Sequence, residues 1–358
     1  MTENIIKVGK NLVGGNNPTY FIADIAANHD GDLSKAVDLI HLAAEAGSDA
    51  VKFQHFNAKD IVSDYGFKDL QSQLSHQASW KKSVYETYED ASLPREWTED
   101  LQKASHEADV HFFSAPYDFA AISLLNNLNV PAHKIGSGDI TWSGIIKQIS
   151  KKGLPVFIAT GASDMKDVER AMKVLQEQNV PICLMQCNTN YTGDHDNLRH
   201  INLNVLKTFS RVWPDVVLGL SDHTPGHATV LGAVALGARA IEKHFTNDKT
   251  KEGPDHAFSM DSTDWKEMVD RTRELESALG SEEKFIAENE QQTVILQRRC
   301  VRLKVDLLEG EILSEKNLEV LRPAPPEAIM PYDFNKVLGK RLKVSKLKGQ
   351  HLSFDDLE

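Results

Sequence analysis

Two histidines stand where chemistry is expected. His223 follows an apolar run in "VVLGLSDHTPG", and His244 closes another in "ARAIEKHFT". Each run is too short for an ordinary helix and reads as a buried strand. Two imidazoles on neighbouring strand ends can share one divalent cation, and neutral imidazole nitrogen suits Mn, Fe, Co, Ni or Zn. A lone histidine more often hydrogen-bonds a loop; the pairing favours a metal. Two lysines end other runs, Lys52 in "AVKFQ" and Lys134 in "AHKIGS". Lysine is costly to bury unless it meets an anion, so two in one pocket imply a carboxylate or phosphate substrate. A Schiff-base lysine is the alternative, but the second lysine and the histidine pair favour an anion clamp. "GSG" (136–138) and "ATGAS" (159–163) can offer backbone N–H groups to phosphate, although small-residue turns after strands are common.

The same strand ends carry Asp24, Asn28, His29, Gln54, Ser114, Ser137, Thr160, Asn188, Tyr191, Ser221, Asp222 and Glu242. The opposite ends show no such cluster, and this asymmetry points to an enzyme. His29, His227 and His256 are expected in pocket-wall or structural roles.

These residues must be positioned by eight apolar runs, at 20–26, 50–54, 110–115, 132–137, 155–160, 181–187, 216–221 and 238–245. Amphipathic segments alternate with them. Residues 33–47, 165–178, 228–237 and 262–280 have helical spacing, and 33–47 stops at Gly47. The long connection 55–109 is mostly polar, with 95–108 its helical part. Strands alternating with helices predict parallel pairing and right-handed crossovers. Eight units fit a (β/α)8 TIM barrel, whose active site lies at the C-terminal strand ends; a doubly wound open sheet is the alternative. The expected organisation is a catalytic barrel over 1–283, a polar linker over 284–297 and a small β-rich domain over 298–358.

With 358 residues, 41% hydrophobic and 26% charged, the chain has the composition of a soluble globular protein. A formal net charge of -12 argues against nucleic acid or an anionic membrane as partner, but not against an anionic substrate in a local basic pocket. The first residues lack a signal-peptide core, and no run approaches the roughly 20 apolar residues of a membrane span. Three cysteines, Cys183, Cys187 and Cys300, suit reduced thiols in the cytoplasm. Cys183 and Cys187 share a strand face and read as small buried residues. The five tryptophans are scattered and read as packing residues, with Trp142, just after "GSGDIT", the one nearest a strand-end motif.

The motifs "ADIAANHDGDL", "AVKFQ", "KIGSGD", "ATGAS", "GLSDHTPG", "EKHFT" and "GPDHAFSM", in this order, resemble the sialic acid synthase family, which makes nine-carbon 2-keto sugar acids. The tail containing "LEVLRP" resembles the antifreeze-like (SAF) domain that ends those enzymes. The resemblance implies a transferase that condenses phosphoenolpyruvate with an N-acylated mannose-type sugar and releases phosphate. It implies a divalent cation, Mn2+ with Mg2+ or Co2+ as alternatives, held by His223 and His244. Lys52 and Lys134 would hold phosphoenolpyruvate. Ser137, Tyr191 and Ser221 would line the pocket, with Thr160 and Asn188 added from the strand-end reading, and Asp255 would bind the sugar. Arg322 would reach the partner subunit's site, making the active form a domain-exchanged homodimer. Asp24 stands where the family usually has Glu, and Ala26 where it has Gly. Asp24 is the first candidate to manage protons near the aldehyde, with Glu242 second, while Glu242 could instead pair with Lys243 or Arg239. The rival readings are a legionaminic- or pseudaminic-type synthase using a diacetamido-trideoxyhexose, a sister synthase using a sugar phosphate, and a barrel that binds sugar without catalysis. The sister synthase would need a second basic cluster, which the sequence does not display.

Overall fold

A computed structural model describes residues 4–70, 77 and 80–358. It divides into two compact units, residues 1–280 and 281–358. The first begins with an antiparallel hairpin, β1 (Ile5–Val8) and β2 (Asn11–Gly14). Eight parallel strands follow: β3 (Tyr20–Asp24), β4 (Ala50–His55), β5 (His111–Pro116), β6 (His133–Ile135), β7 (Val156–Ala159), β8 (Ile182–Cys187), β9 (Val217–Asp222) and β10 (Ala238–His244). They pair in chain order and β10 closes onto β3, with His244 opposite Asp24. The closed barrel excludes the open doubly wound sheet.

The strands are apolar almost throughout because they are covered on both faces. β3, β7, β8 and β9 are buried at every position. Helices pack outside them. The helix Leu33–Glu45 is capped by Asp32, which accepts from the N–H groups of Ser34 and Lys35. Gly47, at φ +96°, turns the chain into β4. Trp265, on the helix Ser262–Leu279, is fully buried and packs edge-on against Phe245, just beyond β10. The connection between β4 and β5 holds more structure than its polarity suggests, with helices at Ala58–Ile61, Asp64–Asp69 and Val84–Ala91 before Thr98–Glu107.

The hairpin seals the N-terminal end of the barrel. Val8 and Val13 are fully buried in the barrel's core cluster. Gly9 lies so close to His111 that an added Cβ would fall 2.4 Å from its Nε2. This end is not free of polar residues, contrary to the strand-end reading: the Tyr20 hydroxyl meets His111 Nδ1 at 2.7 Å, and Asp49 accepts the Phe21 N–H at 2.8 Å. These groups satisfy one another beneath the hairpin and do not open into a cavity.

The second unit has its own small core, including Val301, Leu303, Leu313, Ile329 and Leu352. Its paired strands are β11 (Cys300–Leu303) and β12 (Leu318–Leu321), joined by turns and isolated bridges. The segment 284–297, expected as a linker, contains the helix Gln291–Gln297.

Candidate active site

Side chains alternate along a strand, so every second residue of a barrel strand points inward. At the C-terminal ends this rule gathers Asp24 from β3, Lys52 and Gln54 from β4, Lys134 from β6, Ser221 from β9, and Glu242 and His244 from β10. All seven line one cavity of about 400 Å³, together with His223 from the turn after β9. The hydrogen bonds explain why such costly groups are tolerated there. Lys52 Nζ donates to Asp24 Oδ2 at 2.6 Å and lies 3.8 Å from Glu242 Oε1. Lys134 Nζ donates to Glu242 Oε1 at 3.1 Å, and Ser221 donates to the same oxygen at 3.3 Å. Burial opposes the charge of Lys52, but Asp24 and Glu242 outweigh it and hold its pKa above the usual lysine value. Two ammonium groups thus face two carboxylates, the four side chains being 2–5% exposed.

Asp24 is fully engaged. Its Oδ1 accepts the Ala26 N–H at 3.1 Å, and its Oδ2 accepts from both Lys52 and Gln54, the latter at 3.1 Å. The turn that allows this puts Ala26 at φ +45°, a conformation that glycine adopts more readily. Glu242 differs: its Oε2 is buried with no hydrogen-bond partner. The expected alternative pairing of Glu242 with Lys243 or Arg239 does not occur. Lys243 points to the other face of β10 and pairs with Asp222, and Arg239 donates to the carbonyls of Gly15, Val234 and Ala238.

The two imidazole rings lie with centroids 5.4 Å apart. His223 Nδ1–H donates to the Asn188 carbonyl at 2.9 Å, which fixes the tautomer and leaves the Nε2 lone pair free. His244 Nδ1 is buried without a hydrogen-bond partner, and its Nε2 lies 3.5 Å from Asp24 Oδ2. Burial depresses both histidine pKa values, His244's strongly, so both rings are neutral near pH 7. Neutral rings with an unused nitrogen are the donor type a divalent cation needs. Among the described residues no group of three or more His, Cys, Asp or Glu is arranged to hold a metal, so the two imidazoles are the candidate ligands.

Tyr191 packs against both rings, 4.5 Å from His223 and 6.5 Å from His244 by centroid. Asp255 borders the cavity and accepts the Ala27 N–H at 3.1 Å, while burial lifts its carboxyl to about 6. Ser137 accepts the Gly161 N–H at 3.0 Å and lines the cavity with Gly136 and Gly138, so the "GSG" turn is part of the wall. Two expected residues, Thr160 and Asn188, are placed otherwise. Thr160 donates to the Met185 carbonyl at 2.9 Å and does not line the cavity. Asn188 contributes its carbonyl to His223, not its side chain to the wall. Arg322 lies in the second unit, where its Nε donates to the Gln297 carbonyl at 2.6 Å.

Sequence reading missed the aromatic wall. Tyr88 and Phe56 come from the β4–β5 connection, and Tyr117 from the turn after β5. Phe56 touches both tyrosines, at 5.4 and 6.0 Å. The one available signal was the density of aromatic residues in "SWKKSVYETY" and "SAPYDF". Asp139, also on the wall, has its pKa raised to about 6 by burial. Trp142 packs at a tilt against Phe119 and does not line the cavity. His29 packs edge-on against Trp97, His256 bonds Thr246 and Asp30, and His227 precedes the helix Ala228–Ala235; none lines the cavity. All three cysteines are free and buried. A wider chamber of about 760 Å³ adjoins the site and shares Ala27, Tyr191 and Pro254 with it. Two of its lysines are already paired, Lys81 with Glu252 and Lys82 with Asp90.

Residues 39–284 match the model of the NeuB family, and residues 298–358 match the SAF domain. The chain belongs to the NeuB family. It is 34% identical to N,N'-diacetyllegionaminic acid synthase of Campylobacter jejuni, covering 92% of this chain and 98% of that one. Against human N-acetylneuraminate-9-phosphate synthase the identity is 32%, over 93% of this chain and 91% of the other. The crystal structure of N-acetylneuraminic acid synthetase from Leptospira borgpetersenii superposes with a TM-score of 0.72 at 27% identity, covering 82% of this chain and 95% of that one. Pseudaminic acid synthase of Helicobacter pylori is 30% identical, over 95% of this chain and 98% of that one, so relatives named for different sugar acids lie at similar distances. No helix among the described residues is long and apolar enough to cross a membrane.

Proposed function

We propose that this NeuB-family chain is a nonulosonic acid synthase, a transferase that joins phosphoenolpyruvate to an N-acylated mannose-type sugar and releases phosphate. The observation that carries the reading is a single cavity holding two buried lysines opposite two neutral, closely spaced imidazoles. Lys52 and Lys134 supply the positive charge that an enol phosphate with a carboxylate requires. Ser137 and the turn around it stand beside them as further donors.

His223 and His244 would hold a divalent cation, Mn2+ being the first choice, with Mg2+ or Co2+ as alternatives. When bound, such an ion supplies Lewis-acid polarisation of the sugar's aldehyde. The C3 carbon of phosphoenolpyruvate attacks that aldehyde carbon, forming the new C–C bond. Water adds at C2, and the tetrahedral intermediate loses phosphate by C–O cleavage. The lysines bind, orient and offset the phosphate's charge throughout. The proton of the adding water needs an acceptor. Asp24 already receives three hydrogen bonds, whereas Glu242 Oε2 has none. Glu242, and not the expected Asp24, is therefore assigned that proton, which it returns to the alkoxide oxygen left by C–C bond formation; the C2 hydroxyl proton leaves with the phosphate, and Asp24 has the task of holding Lys52. Asp255 and the aromatic wall would take the sugar.

The reading includes a cytoplasmic, domain-exchanged homodimer in which Arg322 reaches the partner's sugar site. Its direct test is His223→Ala and His244→Ala. Each should abolish metal-dependent phosphate release from phosphoenolpyruvate; wild-type rates in either variant would remove the metal from the reading.

A further inference from the structure

On the outer face of the barrel, behind the two histidines, lies a charged network that the proposed chemistry does not use. Asp222 and Lys243 are cross-strand partners in β9 and β10, each immediately before a candidate metal ligand. Both are buried, with side chains 1% exposed, and they form an ion pair. Such a pair repays its desolvation only when further hydrogen bonds satisfy it, and here they do. Asp222 accepts from the hydroxyls of Thr224 and Thr229 at 2.8 and 2.7 Å, and from the Thr224 N–H at 3.2 Å. Lys243 Nζ also donates to the Thr224 carbonyl at 2.6 Å.

The peptide groups on both sides of Thr224 are thus gripped. Its N–H, which belongs to the bond leaving His223, is held by Asp222. Its carbonyl is held by Lys243, the residue next to His244. The turn that carries one imidazole is tied to the strand position that carries the other. The Asn188 carbonyl holds the His223 ring as well, so the residue is tied both at its ring and at the peptide that follows it.

Resting on the metal reading above, we infer that Asp222 and Lys243 are positioning residues that set the separation and facing of His223 and His244 for one cation. Removal of partners behind metal ligands typically lowers metal affinity about 10- to 100-fold. The test is Mn2+ binding to the full chain, followed by electron paramagnetic resonance and calorimetry, with no substrate present. The variant D222N/K243M keeps side-chain volume and an acceptor for the Thr224 N–H, and removes both charges together. With circular dichroism unchanged, it should bind Mn2+ at least ~10-fold more weakly, with an altered resonance spectrum, and Lys243→Arg should recover part of the loss. Should D222N/K243M fail to fold, Thr229→Val, which removes one bond to Asp222, should still weaken Mn2+ binding about two- to fivefold, a small part of the full outer-shell effect. Equal affinity in wild type and folded D222N/K243M (or Thr229→Val), with binding lost in His223→Ala, would overturn the positioning role alone. Wild-type protein that takes up no Mn2+, or takes it up equally after His223→Ala, would overturn the metal reading beneath it.

Discussion

Lys134 and Glu242 show how one residue pair serves both stability and chemistry. Lys134 is almost fully buried, and its ammonium group lies 3.1 Å from Glu242. Removing the cation leaves a buried carboxylate under-compensated, at a cost of about 3 kcal/mol. Lys134→Met should therefore lower unfolding free energy by about that much, and reduce kcat/KM for phosphoenolpyruvate about 100-fold through a lost charged hydrogen bond. Lys134→Met with Glu242→Leu should recover stability but not turnover; a double variant that regains turnover would take Lys134 out of the site. Asp255 makes a second prediction. Its folded-state carboxyl titrates near 6 against an ordinary 3.8, because burial penalises the charged form. The native state then binds more protons than the unfolded state between these values, so the Asp255 contribution favours folding below pH ~4 and is lost as pH rises through ~6. Asp255→Asn should stay flat over that window and gain about 1–2 kcal/mol on wild type by pH 7, since the side chain is partly open to the cavity. Denaturation curves at pH 4, 5, 6 and 7 would check it; parallel pH profiles would count against the shift.

At the level of elements, the barrel strands were legible in the sequence to within about two residues. Fully buried parallel strands carry an unbroken apolar signal that only their ends interrupt. For the same reason Lys52, Lys134, His223 and His244 stood out: each is a titratable group at the end of such a run. What could not be read was which groups touch. Glu242 meets Lys134 across the barrel, 108 positions away in sequence, and no local pattern encodes that pairing. The aromatic wall was hidden for a related reason, since Tyr88, Phe56 and Tyr117 sit in connections whose polarity resembles a solvent-exposed loop. The hairpin β1–β2 escaped because its strands are partly exposed and carry no unbroken apolar run, unlike the comparably short β6 and β7, which are buried throughout. Its fit under the barrel is nonetheless tight. Gly14 is at φ +110°, and an added Cβ would stand 2.0 Å from the Asn4 carbonyl oxygen. Gly14→Ala should destabilise the chain by at least ~2 kcal/mol through strain and clash. It should leave phosphate release by the folded protein unchanged at 25 °C, because the hairpin seals the end opposite the cavity. Thermal melting and initial rates measured on one preparation separate the two effects.

For the whole molecule, the proposed exchange of Arg322 between subunits makes a genetic prediction. In a homodimer built that way, a His223→Ala chain still lends a sound arginine, and an Arg322→Ala chain still offers a sound barrel. Mixing the two inactive variants under conditions that allow subunit exchange should restore part of the activity, from the one intact site per mixed dimer. An arginine serving its own chain's barrel predicts no recovery. The most direct test of the central claim is incubation of the purified chain with phosphoenolpyruvate, Mn2+ and a panel of N-acylated mannose-type and diacetamido sugars, with phosphate and product mass measured together. The account predicts equal amounts of phosphate and a nine-carbon 2-keto acid with at least one sugar; no phosphate from any of them would contradict it.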